Sequence, residues 1–409
     1  MQSSKLKSIV TALSLTSLAI SHSLAYADDG MLGGAEISGN VAGEYRHFEA
    51  DKQRSGQSNS NLSVSFEPEF YWQIEDSNNS VEFQPFIRID ETDSNRTHAD
   101  VRELYWHHYD DTWEVKAGIS QVFWGVTETI HLVNVINQTD AVENPDGESF
   151  LGQPMVNLTL INDWGLVDLF VLPGFRERTF NDRDGRPSSQ MLVSDSHAVY
   201  ESSAEELHTD FAVRWSHNIE SWDIGVSHFY GTSRAPRFSE DEVYLNNHNE
   251  VVYVPIYDII NQTGLDLQTT FDAWLLKLEV IHQNNAVGNF YAAAGGFEYT
   301  FYSVFDSASD IGIIVEYLYD ERDGEMADDD VSIAVRWTLN DIDSTELLAG
   351  VTQDVNNQSQ YFFVEALTRI GNDFTLSLES RGVTNTDPDD ASAMLKDSNY
   401  MQLELSYFF

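Results

Sequence analysis

The chain has 409 residues, 67 of them Asp or Glu against 22 Lys or Arg, for a formal charge of −45, and no cysteine. That charge excludes a nucleic-acid binder, which needs cations to displace phosphate counterions, and the missing thiols exclude a disulfide framework, a thiolate metal centre and a cysteine nucleophile. With 42% hydrophobic residues the chain is no disordered acidic polymer, yet past residue 27 nothing approaches the roughly 18 uninterrupted apolar residues of a membrane helix.

Residues 1–27 read as a secretory signal peptide. Lys5 and Lys7 make a positive start, residues 9–20 an apolar stretch diluted by Ser and Thr, and Ala25-Tyr26-Ala27 a small-residue cleavage site before Asp28-Asp29. Cleavage after Ala27 leaves 409 − 27 = 382 residues, and with two lysines and no acid removed the charge becomes −47. Residues 28–409 are expected to form one domain.

The first strand is expected near Glu36. From there the chain alternates. Leu62, Val64, Phe66, Pro68, Phe70, Trp72 and Ile74 interleave with Ser63, Ser65, Glu67, Glu69, Tyr71 and Gln73. Period two marks a strand with one apolar and one wet face. The pattern returns at 81–89, 113–119, 207–215, 222–230, 274–280, 311–319, 331–339, 374–378 and 401–409, and helical spacing is almost absent. Short connections rich in Asn, Asp, Gly and Ser (76–79, 110–111, 162–163, 218–221, 272–273, 307–310, 340–344, 371–373) take turns with long ones. The long ones are 51–59, 122–154, 174–204, 231–262 and 383–397, with smaller ones near 91–97, 283–288, 320–329 and 355–359.

Eight short and nine long connections predict eighteen strands. An even number suits a closed barrel whose two ends lie on one side. Trp72, Trp113, Trp164, Trp215, Trp222, Tyr230, Trp274, Trp337 and Tyr407 sit near the ends of the apolar stripes, where a bilayer's interfacial girdles belong. The predicted fold is all-β: a transmembrane antiparallel β-barrel with short periplasmic turns and long extracellular loops.

Its last ten residues, Tyr400-Met401-Gln402-Leu403-Glu404-Leu405-Ser406-Tyr407-Phe408-Phe409, resemble the C-terminal strand of Gram-negative outer-membrane barrels. That resemblance implies that Tyr407 and Phe409 are read by the barrel-assembly machinery, and that the protein is a porin-like channel of the cell outer membrane, in contact with lipid and lipopolysaccharide. Phe123-Trp124-Gly125, with Asn134-Val135-Ile136-Asn137 and Asp140, also resembles a stretch of porin-like proteobacterial proteins. Eighteen-stranded substrate-specific and alginate-export channels guide anions with basic lumens, and this sequence departs from them by being acidic.

If the apolar phase faces lipid, the opposite phase puts sixteen acids against seven bases in the lumen: Glu67, Glu69, Glu82, Asp90, Glu114, Glu206, Asp210, Asp223, Glu279, Glu298, Glu316, Glu346, Asp354, Glu365, Glu379 and Glu404 against Arg88, Lys116, Arg214, Lys277, Arg336, Arg369 and Arg381. Such a lumen concentrates cations and repels anions. The connection 122–154 is too long for mere closure. Its apolar stretch (Ile130, Leu132, Val133, Val135, Ile136) would be costly in water, so it is expected to fold inward and narrow the pore. The constriction candidates are Trp124, Glu128, Asn134, Asn137, Asp140, Glu143, Asp146 and Glu148, faced by Arg176 and Arg178 of the next long loop.

The Asp-rich runs 181–185 and 320–330 lack the spacing of a calcium loop. Among the histidines, His107 and His108 on one strand point to opposite faces. No catalytic constellation, metal site or cofactor motif is found. The expectation is a passive channel for an unknown small hydrophilic solute, preferring cations or neutral molecules. Two alternatives stand beside it: a structural or surface-interaction barrel with an occluded lumen, and a polysaccharide-export-type barrel.

Overall fold

The structure, a computed structural model, describes residues 34–409 apart from residues 189, 190, 195 and 323. The expected signal peptide lies outside the described residues. Eighteen strands follow in order: β1 (Glu36–Phe48), β2 (Ser60–Gln73), β3 (Asn79–Asp90), β4 (His98–Tyr109), β5 (Trp113–Ser120), β6 (Gln153–Asn162), β7 (Gly165–Pro173), β8 (Thr209–Ile219) and β9 (Trp222–Thr232). They continue as β10 (Ile259–Phe271), β11 (Trp274–Asn284), β12 (Asn289–Phe301), β13 (Asp310–Asp320), β14 (Asp329–Thr338), β15 (Glu346–Asp354), β16 (Gln360–Ile370), β17 (Phe374–Thr384) and β18 (Tyr400–Phe408). Each pairs antiparallel with the next, and β18 returns to β1 from Asn40↔Phe408 to Phe48↔Tyr400, so the sheet closes. Among the described residues, no helix is long and apolar enough to cross a membrane.

The period-two alternation explains the wall. On β18, Met401, Leu403, Leu405 and Tyr407 are exposed on the outer face while Tyr400, Gln402 and Ser406 are buried inside. The outer surface is a continuous apolar belt, with Ile89, Val171, Val226, Ile333 and Leu405 all exposed on it. Trp72, Trp113, Trp164, Trp215, Trp222, Trp274, Trp337 and Tyr407 gather at the end of the short turns, where Trp274 packs on Tyr299 at 4.7 Å and Phe374 on Tyr407 at 5.1 Å. Tyr230 lies at the opposite, loop end, with exposed Tyr291, Tyr317 and Tyr319.

Two of the boundaries that differ from the sequence reading bear on the lumen. The strand expected to start at Leu207 starts at Thr209, because residues 205–207 form a 3-10 turn. Glu206 is therefore an exposed loop residue and not a lumen acid. The loop expected to run to Gln262 ends before Ile259, and Gln262 is an inward strand residue, buried against the loop segment at Leu132 O (3.2 Å). Its polar face has no apolar partner run to mark it as strand.

A bulge in β4 decides which of its side chains face the lumen. Gln84 faces Glu103 but Pro85 faces Val101, which leaves Arg102 as the extra residue. A bulge reverses the side-chain phase on either side of it. Below it Glu103 and Tyr105 point inward, with Leu104 and Trp106 exposed outside; above it Arg102, Asp100 and His98 point inward. At the turn end, the Phe409 N–H donates to Gly39 O at 3.1 Å. Gly39 has φ +150°, and a Cβ there would lie 2.5 Å from Glu67 O, so the C-terminal aromatic is seated over a position that requires glycine.

Candidate channel constriction

Residues 121–152, between β5 and β6, make a long connection with few backbone pairings of its own. Asn137 ties its two ends together. Its Nδ2 donates to Ser120 O and Leu151 O, both at 2.9 Å, and its Oδ1 accepts from Val122 N at 2.8 Å. Asn134 Oδ1 accepts from Trp124 N at 3.3 Å. Trp124, Val133, Val135 and Ile136 are buried with Phe170, Leu172, Ala212, Phe229, Ile260 and Ile281, which are inward residues of β7 to β11. The apolar run of the segment is thus covered by an apolar patch on the inner wall.

Further on, wall carboxylates receive its backbone. Glu279 Oε1 accepts from Val126 N (2.7 Å), Thr127 N (3.1 Å) and Thr127 Oγ1 (2.7 Å), and its Oε2 from Val133 N (3.1 Å). Glu316 accepts from Glu128 N at 2.8 Å and Thr129 N at 2.9 Å. Gly125 has φ +148°, and a Cβ there would sit 2.9 Å from His131 Nδ1 and 3.1 Å from Glu279 Oε1, so glycine permits this approach. The Glu128 side chain pairs with Arg336 at 2.7 Å and Lys277 at 3.2 Å. Burial pushes the Glu128 carboxyl up, but those two cations outweigh it and hold it below the usual carboxylate range.

The other side of the segment meets arginines. Arg96 Nε donates to Val142 O at 2.9 Å and Arg46 Nη2 to Glu143 O at 2.8 Å. Arg88 Nε pairs with Glu143 Oε2 at 2.7 Å, and Arg102 Nη2 with Asp140 Oδ2 at 2.7 Å. Glu44 and Asp90 complete the network on Arg46, Arg88 and Arg96. Farther along, Asn144 Nδ2 donates to Glu379 at 3.1 Å and Asp146 pairs with Arg381 at 3.4 Å. Burial pushes the Asp146 carboxyl up to about 7. The segment therefore touches inward residues from β1, β3 and β4 round to β7–β14 and β17. Charges this deeply buried contribute fixed geometry more than net stability.

The constriction candidates have different fates. Trp124 belongs to the apolar patch, with Arg214 5.3 Å over its ring, and Asn134 and Asn137 hold the loop's own shape. Asp140 and Glu143 are buried on arginines, Glu128 on two cations, and Glu148 is exposed. Arg176 pairs with Asp100 of β4 at 2.8 Å and donates from Nη1 to Gly152 O at 2.9 Å, and Arg178 Nε donates to Gln138 Oε1 at 3.2 Å, which brings both to the 121–152 segment. Lys277 reaches this segment and not a neighbouring strand. The sequence reading missed Glu44, Arg46, Arg96, Asp100, Arg102 and Asp266, the last paired with Arg214 at 2.7 Å. Glu44 and Arg46 alternate with Tyr45 and His47, a signal available in the sequence; Arg102 lies at the bulge, and Arg96 on a loop, where no periodicity applies.

On the loop side, a cavity of about 510 Å³ is bounded by Asp146, Arg178, Arg381, Asp330, Asp354 and Asp390. Asp330 and Asp354 are cross-strand neighbours, and Asn357 Nδ2 donates to both Asp354 (2.5 Å) and Asp390 (2.9 Å). Asp182, in one of the Asp-rich runs, accepts from Asp184 N, Gly185 N and Ser94 N, all at 2.7–2.8 Å, and so staples two loops together.

No family model matches the sequence, and no curated protein is similar to it. The fold has solved neighbours. OccK3 (OpdO) of Pseudomonas aeruginosa is 10% identical, with a TM-score of 0.53, over 92% of this chain and 95% of that one. OccD3 (OpdP) of the same organism is 11% identical, with a TM-score of 0.51, over 92% and 91%. A variant of the Rh. blastica porin is 10% identical, with a TM-score of 0.44, over 92% and 100%. At such identities the likeness concerns architecture, and in architecture the chain is a closed eighteen-strand barrel of the kind found in Gram-negative outer-membrane porins.

Proposed function

We propose that the protein is an outer-membrane channel through which small hydrophilic solutes diffuse, with a preference for cations or neutral molecules. The observation that carries this reading is the segment 121–152 held across the inside of a closed barrel whose outer face is apolar. An apolar belt of this extent needs lipid to cover it, and a segment docked across the lumen sets the width available to a solute. By this reading the short turns face the periplasm, the long loops and lipopolysaccharide lie outside, and the signal peptide and terminal Phe409 serve export and insertion.

The cation preference rests on the acids that have no arginine or lysine partner. Asp330, Asp354 and Asp390 border the loop-side cavity, and Asp330 Oδ2 has no hydrogen-bond partner. Toward the turn side, Glu67, Glu69, Glu82 and Glu114 stand on β2, β3 and β5 with Lys116, which lies over Tyr105. Planar-bilayer recording in a KCl gradient tests both parts: cation-selective conductance supports the proposal, and anion selectivity overturns the preference. The many contacts of the segment with the wall also favour a second reading, a sealed barrel. A folded protein without conductance, which conducts once residues 130–136 are deleted, would establish it.

A further inference from the structure

Where the segment 121–152 meets β4, three ligand atoms converge: His98 Nε2, Asp140 Oδ2 and Glu143 Oε1 all lie within 4.8 Å of one another. Nε2 is 3.5 Å from the Asp140 oxygen and 3.7 Å from the Glu143 oxygen. His98 Nε2 and Glu143 Oε1 have no hydrogen-bond partner, Asp140 Oδ2 has only the Arg102 guanidinium as an ion-pair partner at 2.7 Å, and Asp140 and Glu143 are 1% and 7% exposed. The other ring nitrogen fixes the chemistry. His98 Nδ1 lies 3.0 Å from the Arg96 carbonyl oxygen, which can only accept, so Nδ1 carries the hydrogen. In the neutral ring Nε2 is then a lone pair facing two carboxylate oxygens. That arrangement is repulsive unless a cation stands between them.

We propose that His98, Asp140 and Glu143 bind a divalent transition-metal ion, of the zinc class, that clips the lumen segment to the wall. One imidazole nitrogen with two carboxylate oxygens suits zinc, manganese or iron(II), whereas calcium and magnesium take oxygen alone. Ligands of a tetrahedral zinc ion at about 2.1 Å stand roughly 3.4 Å apart, close to the 3.5 and 3.7 Å between Nε2 and the two oxygens. The surroundings orient each ligand as outer-shell partners do. The Arg96 carbonyl holds the histidine, Arg88 takes the second oxygen of Glu143, and Arg102 lies 2.7 Å from Asp140 Oδ2. Three protein ligands leave positions for water. The site joins residues from β4 and from the segment, so the ion couples the segment's position to metal supply.

The test uses the full-length folded barrel, stripped with chelator and titrated with Zn²⁺ against a chromophoric competitor. The expected result is one site per chain, weakened at least about tenfold in His98→Gln and in Glu143→Gln, and unchanged in His208→Gln, which removes a histidine elsewhere. Heat-modifiable migration on gels shows that each variant is folded, and Co²⁺ absorption in the wild type reports the ligand set. Zinc binding equal in all four proteins, or absent from the wild type, overturns the site. So does a thermal transition in the wild type that ignores zinc and weakens as pH rises through the imidazole range only when His98 is present, because the bridging cation is then a proton.

Discussion

Replacing Glu279 with alanine tests whether the lumen segment is held by the wall. Four hydrogen bonds from the segment converge on this carboxylate, three on Oε1 and one on Oε2, and its side chain is fully buried. Removing one side of a buried charged contact costs about 3–5 kcal/mol, since the donors at Val126, Thr127 and Val133 are left without an acceptor. At about 1.4 kcal/mol per decade, local opening of residues 126–133 rises by a factor between roughly 10² and 10⁴. The barrel stays closed, because its ladder bonds do not involve this side chain. Amide hydrogen exchange on the folded protein should lose protection in 126–133 by that factor, and single-channel records should show larger or noisier conductance. Glu279→Gln keeps one acceptor oxygen and turns an amide NH2 toward the remaining donor, so its effect should be smaller. Unchanged exchange and unchanged conductance in Glu279→Ala would refute the idea that this carboxylate docks the segment.

Leu403→Arg or Ile333→Arg places a charge on the exposed outer belt and should lower stability by about 2–4 kcal/mol at mid-bilayer, whereas inward Glu404→Gln should be much milder, as read from denaturant unfolding in vesicles. Deleting Phe409 removes the aromatic seated over Gly39 and should slow insertion, measured as outer-membrane levels in cells; normal levels would count against its assembly role. Asp330, Asp354 and Asp390 replaced by Asn should reduce cation selectivity, with the largest effect at low salt, since the Debye length falls from about 10 Å at 0.1 M to about 3 Å at 1 M. The Asp146 carboxyl, held up at about 7 by burial, binds its proton more tightly folded than unfolded, so its contribution to stability declines as pH rises from the ordinary carboxylate range through 7. Asp146→Asn should flatten that decline, as measured by thermal unfolding between pH 5 and about 8.

The eighteen strands are legible because lipid and lumen demand opposite side chains at every second residue. Where both neighbours along a strand are polar, or where the inner face is itself apolar, that signal fails. Gln262 reads as loop for the first reason. Phe170, Phe229 and Ile281 show the second: they are inward residues that look like lipid-facing ones, and they are apolar because the run around Val133 to Ile136 covers them. The sequence therefore carries both halves of this contact, an apolar loop and apolar residues on the wrong strand phase, but only the fold shows that they meet. Glu206 fails for a different reason, since a single 3-10 turn ends the alternation before it.

The charge of the lumen shows most clearly what spacing along a chain cannot deliver. Reading the constriction acids as free charges overlooks their partners: Asp140 and Glu143 are each held by an arginine, and Glu128 by two cations. Arg102, which holds Asp140, is hidden from any count by the β4 bulge, and Arg96 and Arg46 reach the segment from outside the counted set. Of the strand acids expected to face the lumen, Glu279, Glu316 and Glu379 help fix the segment, together with Glu128, Asp140, Glu143 and Asp146 of the segment itself. Neutralising Asp140 or Glu143 would then strand Arg102 or Arg88 and move the local potential toward positive, with the segment loosened as well. Neutralising Asp330 or Asp354 would remove a free acid and leave the segment's own contacts intact. A negative lumen, if it governs permeation, is set by the carboxylates that no arginine reaches, and these lie on either side of the segment, with the exposed Glu148 on the segment itself.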